Sequence, residues 1–218
     1  MEFQAILFDL DGTLLDTLAD IANSTNAALS RLGFPAHPVD VYRYFLGDGM
    51  DHLVRRALPE GHHDGNTLDR CKRAILDEYK NRWAENTKPY PGITELLCEL
   101  EKRGIPKAVL SNKPDVFTKQ TIEKLLPDFH FEIVRGAKPS VPVKPDPTAA
   151  FQIANELGIA PQRFIYIGDT DTDMRTAVSA GMFPAGALWG FRTAEELSAS
   201  GAKALLRTPD EVLYLLAE

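Results

Sequence analysis

The distribution of apolar and polar residues along the chain predicts two regions with different secondary structure. Short apolar runs that are rich in β-forming residues and end in turn residues are typical of buried strands. These runs lie at residues 3–8, 107–110, 131–134, 164–167, 185–189 and 204–206. After residue 92 they alternate with segments of helical periodicity. This order predicts an α/β fold with a doubly wound, mostly parallel sheet.

A helical block interrupts this alternation directly after the first strand. Apolar residues recur there at helical spacing, which predicts helices at residues 18–32, 48–58 and 68–83. No convincing strand pattern occurs between residues 16 and 86. We therefore predict a Rossmann-like core made of residues 1–15 and 87–218, with residues 16–86 inserted as an all-helical cap. The linkers at residues 16–17 and 87–92 would act as hinges.

Carboxylates follow two of the predicted strands at the point where each strand ends. Asp9 and Asp11 come after the first strand, and Asp169 and Asp173 come after the strand at 164–167. In open α/β sheets, ligands bind beyond the carboxyl ends of the strands. Clustered carboxylates beside a buried strand cost free energy unless a cation such as a metal ion or a Lys binds them.

These acids have two other interpretations. Asp is common in turns and at helix N-termini, and this explanation stays open for each acid taken alone. A calcium-binding loop is excluded, because that loop needs a ligating residue at its last position. The residues that would stand there are Leu18 and Ala180, and neither side chain can bind calcium.

Two further loops add complementary side chains. Ser111 and Asn112 follow the strand at 107–110, and Lys144 precedes Pro145 in a proline-rich loop. Each has an ordinary explanation on its own, since Ser and Asn are common at helix starts and most lysines are solvated. Together with the acids, they supply a hydroxyl, an amide and an ammonium group. This set suits the binding of a phosphoryl group beside a divalent cation.

In its motifs and their order, the chain resembles the haloacid dehalogenase-like phosphatases. The motifs are Asp9-Leu10-Asp11-Gly12-Thr13, Ser111-Asn112, Lys144-Pro145 and a GDxxxD pattern at residues 168–173. A finer resemblance, to the phosphoglycolate phosphatase branch, rests on residues 45–50, 53–58 and 188–197. Related pyrophosphatases and sugar-phosphate phosphatases share parts of these segments.

The resemblance implies a Mg²⁺-dependent reaction that passes through an aspartyl-phosphate. The implied metal ligands are Asp9, the backbone carbonyl of Asp11, and Asp169. Asp9 would be the nucleophile, and Asp11 would act as general acid and then as general base. The residues implied to bind the phosphoryl group are Ser111, Asn112 and Lys144. Ser111 and Lys144 would assist the chemistry directly, and Asp173 would orient Lys144 or a metal-bound water.

The leading prediction for the activity is hydrolysis of a small phosphomonoester, 2-phosphoglycolate. Alternatives in the same superfamily are a pyrophosphatase, a sugar-phosphate phosphatase and a β-phosphoglucomutase-like phosphomutase, and Thr13 favours a phosphatase over a mutase. A non-catalytic binding module is disfavoured, because the implied catalytic acids are all present. In the cap, Arg43, Asp48 and the turn at residues 47–49 are candidates for contacts with the leaving group.

Composition and charge narrow the choice of partners. The chain has 218 residues and a formal net charge of -7, which argues against nucleic acid, because phosphate backbones attract basic surfaces. No apolar stretch approaches the roughly 20 residues that span a bilayer, and Glu2 and Asp9 do not fit a signal peptide. Cys71 and Cys98 show no CxxC spacing. We expect a cytoplasmic protein with reduced thiols that acts on a small phosphorylated substrate, as a monomer or a homodimer.

Overall fold

The computed structural model of the protein describes residues 3–216. The strands are β1 (Ala5–Phe8), β2 (Leu15–Asp16), β3 (Lys88–Pro89), β4 (Lys107–Pro114), β5 (Ile133–Ala137), β6 (Phe164–Gly168), β7 (Phe183–Ala187) and β8 (Ala204–Leu206). The α-helices are α1 (Leu18–Arg31), α2 (Tyr42–Phe45), α3 (Met50–Ala57), α4 (Gly65–Arg82), α5 (Ile93–Lys102), α6 (Asp115–Leu125), α7 (Thr148–Leu157), α8 (Asp171–Ala180), α9 (Ala194–Ala199) and α10 (Val212–Leu215). Short 3₁₀ turns cover Val39–Val41, Pro161–Arg163 and Pro209–Glu211.

The central sheet has the strand order β5-β4-β1-β6-β7-β8, and every neighbouring pair in it is parallel. Successive residues of β1 point to opposite faces of this sheet. Ile6 and Phe8 pack with α5 and α6 on one face, whereas Ala5 and Leu7 pack with α7 and α8 on the other. Helices on both faces of a parallel sheet confirm the predicted doubly wound α/β fold.

Several predicted elements are shifted at their ends. The strand predicted at 204–206 coincides with β8. β7 begins and ends two residues earlier than predicted, because its first residue, Phe183, already pairs with β6. β4 continues past its predicted end at residue 110 through polar residues, and Pro114 still pairs with β5. The sequence prediction ended β4 too early because the last residues of this strand are polar.

The inserted helices have an apolar core of their own. Buried residues of α1 recur at three- and four-residue spacing, which places them on one face of the helix. Ala28 and Leu29 of that face pack against Val54 of α3 and Ile75 of α4. Among the helices of residues 3–216, none is both long enough and apolar enough to cross a membrane. The limits of the cap at residues 16 and 86 stay a prediction.

The two linkers of the inserted block are tied to each other. β2 and β3 pair as a short antiparallel ribbon, so the expectation of no strand in residues 16–86 is wrong at Asp16. Close by, the buried carboxylate of Asp20 accepts hydrogen bonds of 2.6–3.0 Å from Asn86 and Thr87. Burial alone would raise the pKa of Asp20, but these hydrogen bonds outweigh it and lower the pKa below its usual value.

Replacing Asp20 by Ala is expected to lower the free energy of unfolding by about 3 kcal/mol, because buried N–H groups lose a charged acceptor. Urea unfolding at neutral pH measures this change, with Asp77→Ala on the exposed side of α4 as the control. Folding lowers the pKa of Asp20. The stabilisation that its carboxylate gives to the folded protein is therefore fully present above the ordinary aspartate pKa. It is lost as the pH falls through the lower pKa of the folded state. The difference from the wild type should therefore shrink in acid. An equal difference at every pH would contradict this role of the carboxylate.

Candidate active site

The carboxyl ends of β1, β4 and β6 meet at one edge of the sheet, and most of the predicted site residues lie there. Asp9 directly follows β1, Ser111 lies in β4 and Asp169 directly follows β6. β1 and β6 are hydrogen-bonded neighbours, and the ladder continues where Asp9 N donates to Ile167 O at 2.9 Å. Lys144 reaches the same edge from the loop before α7. The topology of the sheet therefore brings together residues that are far apart in the chain.

Lys144 lies at the centre of this cluster. Its Nζ is 2.8 Å from Asp9 Oδ1 and 2.7 Å from Asp173 Oδ1, and it donates to Leu110 O at 3.1 Å. The residue is only 3% exposed, so its interpretation as a solvated loop lysine is wrong. Burial would lower the pKa of Lys144, but the charges of Asp173 and Asp9 raise it well above its usual value. The ammonium group is therefore charged.

Asn112 fixes the loop that carries Lys144. Its Oδ1 accepts a hydrogen bond from Lys144 N at 2.9 Å, and its Nδ2 donates to Lys144 O at 3.0 Å. Nδ2 also donates to Gly47 O at 3.0 Å, in the inserted helical block. The side chain of Asn112 thus positions Lys144 and connects the block to the sheet edge.

Asp169 is held in place by two donors. Thr13 Oγ1 donates to Asp169 Oδ1 at 2.9 Å, and Phe191 N donates to Oδ2 at 2.8 Å. Gly12 passes close to this carboxylate with a φ of +92°, and a Cβ on it would collide with Asp169 Oδ2. The first motif therefore needs Gly at this position both for the turn and for the close approach.

Asp173 belongs to the first turn of α8. Its Oδ2 accepts hydrogen bonds from Thr170 N at 3.0 Å and from Thr170 Oγ1 at 2.7 Å, and the two residues form a capping box. Its Oδ1 binds Lys144. The helix cap therefore fixes the carboxylate, and the carboxylate in turn fixes the ammonium group. This geometry supports the predicted orienting role of Asp173, which stays a prediction.

The electrostatics of the cluster fit a divalent cation. Asp9, Asp169 and Asp173 each offer a carboxylate oxygen, and these oxygens lie within 4.8 Å of one another. Burial and the nearby Asp173 raise the pKa of Asp9 to about 7, and burial with Asp173 and Asp9 raises the pKa of Asp169 well above its usual value. Asp9 Oδ1 accepts no well-aligned hydrogen bond despite its short distance to Lys144. Buried carboxylates that resist ionisation together are suited to a hard cation that restores their charge.

Asp11 is paired with a lysine that the sequence analysis did not select. Lys113 Nζ donates to Asp11 Oδ1 at 2.8 Å and to Oδ2 at 3.2 Å. The backbone N–H of Lys113 also donates to Ser111 Oγ at 3.2 Å. Alternate residues of a strand share a face, so an extension of β4 through residue 113 would have placed Lys113 beside Ser111 from the sequence alone.

A cavity opens beside Asp9 and Asp11, between the sheet edge and the inserted helices. It contains about 640 Å³ of empty space, including the part that is open to solvent at its mouth. The polar end of the cavity is formed by Asp9, Asp11, Ser111, Asn112 and Lys113. The remaining wall consists of Ile21, Leu46, Gly47, Gly49, Met50, Leu53, Ile75, Tyr79, Pro114 and Phe117.

Arg43 and Asp48 do not line this cavity and instead connect the helical block to the core. Arg43 donates to Gly190 O at 2.9 Å. Asp48 Oδ1 accepts a hydrogen bond from Thr172 Oγ1 at 2.6 Å. These contacts give no support to the expectation that the two side chains touch a leaving group, although the glycines on either side of Asp48 do line the cavity. The contacts close the helical block over the site.

Comparison with known proteins identifies relatives of this chain. The family model of the haloacid dehalogenase-like hydrolases matches residues 6–187. A phosphoglycolate phosphatase of Aquifex aeolicus is 32% identical over 192 residues, which cover 86% of this chain and 86% of that protein. A phosphoglycolate phosphatase of Pseudomonas putida is 30% identical over 197 residues, which cover 89% of this chain and 72% of that protein.

Solved structures agree with these sequence relatives. The crystal structure of a provisionally assigned phosphoglycolate phosphatase from Lactobacillus delbrueckii subsp. bulgaricus superimposes with a TM-score of 0.92. The two proteins are 28% identical, and the match covers 99% of both chains. The chain therefore belongs to the haloacid dehalogenase-like hydrolases, in the phosphoglycolate phosphatase-like branch, and is a phosphoric monoester hydrolase.

Proposed function

We propose that this enzyme is a Mg²⁺-dependent phosphatase of small phosphomonoesters, that 2-phosphoglycolate is its substrate, and that the reaction passes through an aspartyl-phosphate at Asp9. The observation that carries this proposal is the position of Asp9, which contacts the buried Lys144 and also lines the cavity. A carboxylate in this place can reach a phosphoryl group while a neighbouring cation lowers the repulsion between them. The names of the relatives support the choice of substrate.

In the proposed first half-reaction, a carboxylate oxygen of Asp9 attacks phosphorus, and the bond from phosphorus to the leaving oxygen breaks. Asp11 lines the same cavity and donates a proton to that oxygen. In the second half-reaction, Asp11 takes a proton from a water that attacks phosphorus. Phosphate then leaves and the Asp9 carboxylate is regenerated. Both halves need the cavity to exclude other water, which the contacts of the helical block with the core favour.

The residues around Asp9 assist this transfer in different ways. Lys144 places a charged donor beside Asp9, and the Ser111 hydroxyl lines the cavity, so both can bind oxygens of the transferring phosphoryl group. Asn112 assists by holding the backbone of Lys144. Mg²⁺ would be held by Asp9, the backbone carbonyl of Asp11, and Asp169. When bound, it supplies positive charge that lowers the repulsion between the carboxylate and the phosphate dianion.

Phosphate release from 2-phosphoglycolate, compared with pyrophosphate, glucose phosphates and nucleotides, tests the substrate. Faster release from 2-phosphoglycolate than from the others is the expected result. Preferential release from pyrophosphate would replace the proposed substrate by pyrophosphate. Conversion of a sugar phosphate into an isomer, without release of phosphate, would show a phosphomutase instead.

Removal of divalent cations with EDTA is expected to abolish turnover, and added Mg²⁺ is expected to restore it. The metal should also stabilise the folded protein, because it binds the native carboxylate cluster and not the unfolded chain. Thermal unfolding with and without Mg²⁺ measures this effect independently of activity. Full turnover in EDTA would contradict the metal requirement, and an unchanged unfolding temperature would argue against a metal at the carboxylates.

We also propose that the enzyme acts in the cytoplasm, as a monomer or a homodimer. Cys71 and Cys98 are both free thiols, which suits a reducing compartment. The net charge of -7 disfavours nucleic acid as a partner. Light scattering in solution distinguishes the monomer from the homodimer.

A further inference from the structure

We propose that Lys113 and Tyr79 form a binding site for a carboxylate on the leaving group, so that the enzyme selects short phosphomonoesters that carry a carboxylate close to the phosphate. This inference rests on the proposed phosphatase activity and deepens it. It assigns the selection to two residues, one from the core and one from the helical block, that meet in the wall of the cavity.

Lys113 brings a positive charge to the place where a leaving group would lie. Its side chain is 4% exposed and lines the cavity, and its Nζ lies 2.8 and 3.2 Å from the two carboxylate oxygens of Asp11. An ammonium group has three N–H donors. Since the two bonds to Asp11 use two of them, one donor remains for a ligand. Because Asp11 is the proposed proton donor to the leaving oxygen, Lys113 lies next to that oxygen.

Tyr79 supplies a second donor beside Lys113, from the inserted helical block. It belongs to α4, is 4% exposed, and its ring centroid lies 4.7 Å from Lys113 Nζ. The buried Tyr79 hydroxyl has no hydrogen-bond partner among the described residues. A buried hydroxyl without a partner costs free energy. A ligand carboxylate that accepts hydrogen bonds from both the Tyr79 hydroxyl and Lys113 Nζ would remove that cost.

The rest of the wall limits the kind of leaving group that fits. Away from the polar end, the side chains that line the cavity are Ile21, Leu46, Met50, Leu53, Ile75 and Phe117, with Pro114. These groups offer no hydrogen bonds to the hydroxyls of a sugar, and burying unpaired hydroxyls is costly. Among the described residues that line the cavity, Lys113 is the only cation. A short leaving group with one carboxylate matches this distribution better than a sugar or a nucleoside does.

The test compares 2-phosphoglycolate with ethyl phosphate, which has the same chain length but carries a methyl group in place of the carboxylate. The quantity measured is the ratio of kcat/KM for the two substrates, in the presence of Mg²⁺. We expect the wild type to favour 2-phosphoglycolate by about 100-fold or more, because the site leaves polar groups unpaired when the carboxylate is missing. A substitution at Lys113 or Tyr79 that also alters proton donation by Asp11 affects both substrates alike, so this effect cancels in the ratio.

The variants are Lys113→Met, Lys113→Arg and Tyr79→Phe, with Lys119→Met on the exposed side of α6 as the control. Lys113→Met is expected to lower the ratio by about 10- to 100-fold, mainly through the KM for 2-phosphoglycolate, because a charged hydrogen bond is lost. Lys113→Arg should restore part of the ratio. Tyr79→Phe, which removes one oxygen and is the variant least disturbing to the fold, should lower the ratio by about 5- to 10-fold. The control should keep the wild-type ratio.

Equal losses on the two substrates in Lys113→Met and Tyr79→Phe would overturn the inference and leave both residues with a structural role. A wild-type ratio near one, with both substrates hydrolysed, would also overturn it while the proposed phosphatase activity stands. If the Mg²⁺-loaded wild type releases no phosphate from either substrate or from any phosphomonoester of the wider panel, the proposed function fails and the inference fails with it. The experiment thus distinguishes the two failures.

Discussion

Replacing Asp9 by Asn is expected to reduce phosphatase turnover by at least about 10,000-fold while the fold remains intact. Asn closely matches Asp in shape and fits the buried position, but its amide is not a nucleophile toward phosphorus. Wild-type enzyme quenched in acid during turnover of ³²P-labelled substrate should carry label on Asp9, and the variant should carry none. Asp40→Asn, at an exposed position of the helical block, is the control and should keep wild-type turnover and labelling.

Stability measurements on the same variant separate the loss of chemistry from a loss of folding. Burial and Asp173 raise the pKa of Asp9 to about 7 in the protein without metal. A carboxylate with a raised pKa costs stability once the pH exceeds its pKa in the unfolded chain. In EDTA at neutral pH, the uncharged Asn should therefore leave the protein at least as resistant to urea as the wild type.

With added Mg²⁺, the wild type should become more resistant to urea than Asp9→Asn. The wild type should gain more stability than Asp9→Asn, because the variant lacks a charged ligand. A folded variant that turns over substrate at the wild-type rate, or that carries the phosphoryl label, would remove Asp9 as the nucleophile. A variant that is unfolded in EDTA would instead mean that the Asp9 carboxylate is needed for the fold, contrary to the electrostatics of the cluster.

The positions of the strand-end acids could be predicted from the sequence because they follow from local pattern and topology. Asp9 stands directly after a short apolar run, Asp169 follows a second run after one glycine, and the two runs form neighbouring parallel strands. Any sheet with this order brings the two carboxylates to the same edge. The resemblance of the motifs then supplied roles for them, which the geometry supports and which stay proposals until tested.

The two lysines show why part of the site could not be predicted. Lys144 stands in a proline-rich loop, and its burial depends on contacts with Asp9 and Asp173 that no local pattern encodes. Lys113 was missed because β4 was expected to end at Leu110, before the polar residues. Their pairing with β5 is a tertiary effect, and it carries the strand on to Pro114.

The wall of the cavity was the least predictable part. Helical periodicity indicates which face of α1 or α4 is apolar, but it does not show which neighbour covers that face. Ile21 and Tyr79 meet in the cavity through the packing of the inserted helices against each other and against Phe117 of the core. For the same reason, Arg43 was a reasonable candidate for a substrate contact, and its bond to the core became apparent only in the folded structure.

Replacing Lys144 by Met is expected to lower kcat by about 1,000-fold, because a charged donor at the transferring phosphoryl group is lost. It should also lower the free energy of unfolding by about 3–5 kcal/mol in EDTA, since the variant leaves two buried carboxylates without their shared cation. Met keeps most of the volume of the side chain, so the effect reports charge. Lys138→Met, in the same region and exposed, is the control and should behave as the wild type.

The loss of stability in Lys144→Met should depend on pH with a definite sign. Burial and Asp173 raise the pKa of Asp9, and Lys144 partly offsets this effect in the wild type. Without Lys144 the pKa of Asp9 rises further, and a raised pKa costs stability as the pH increases above the ordinary aspartate value. The difference from the wild type in EDTA should therefore be larger at about pH 8 than at about pH 5. A difference that grows toward acid would contradict the ion pair.

A second substitution separates the structural part of this effect from the catalytic part. In Lys144→Met with Asp173→Asn, one of the two unpaired carboxylates is removed, so stability should recover by about 1–3 kcal/mol relative to the single variant. Turnover should stay about 1,000-fold below the wild type, because the donor at the phosphoryl group is still missing. If turnover recovers together with stability, Lys144 acts by holding the fold. If full activity is kept in the single variant, Lys144 has no part in the phosphoryl transfer.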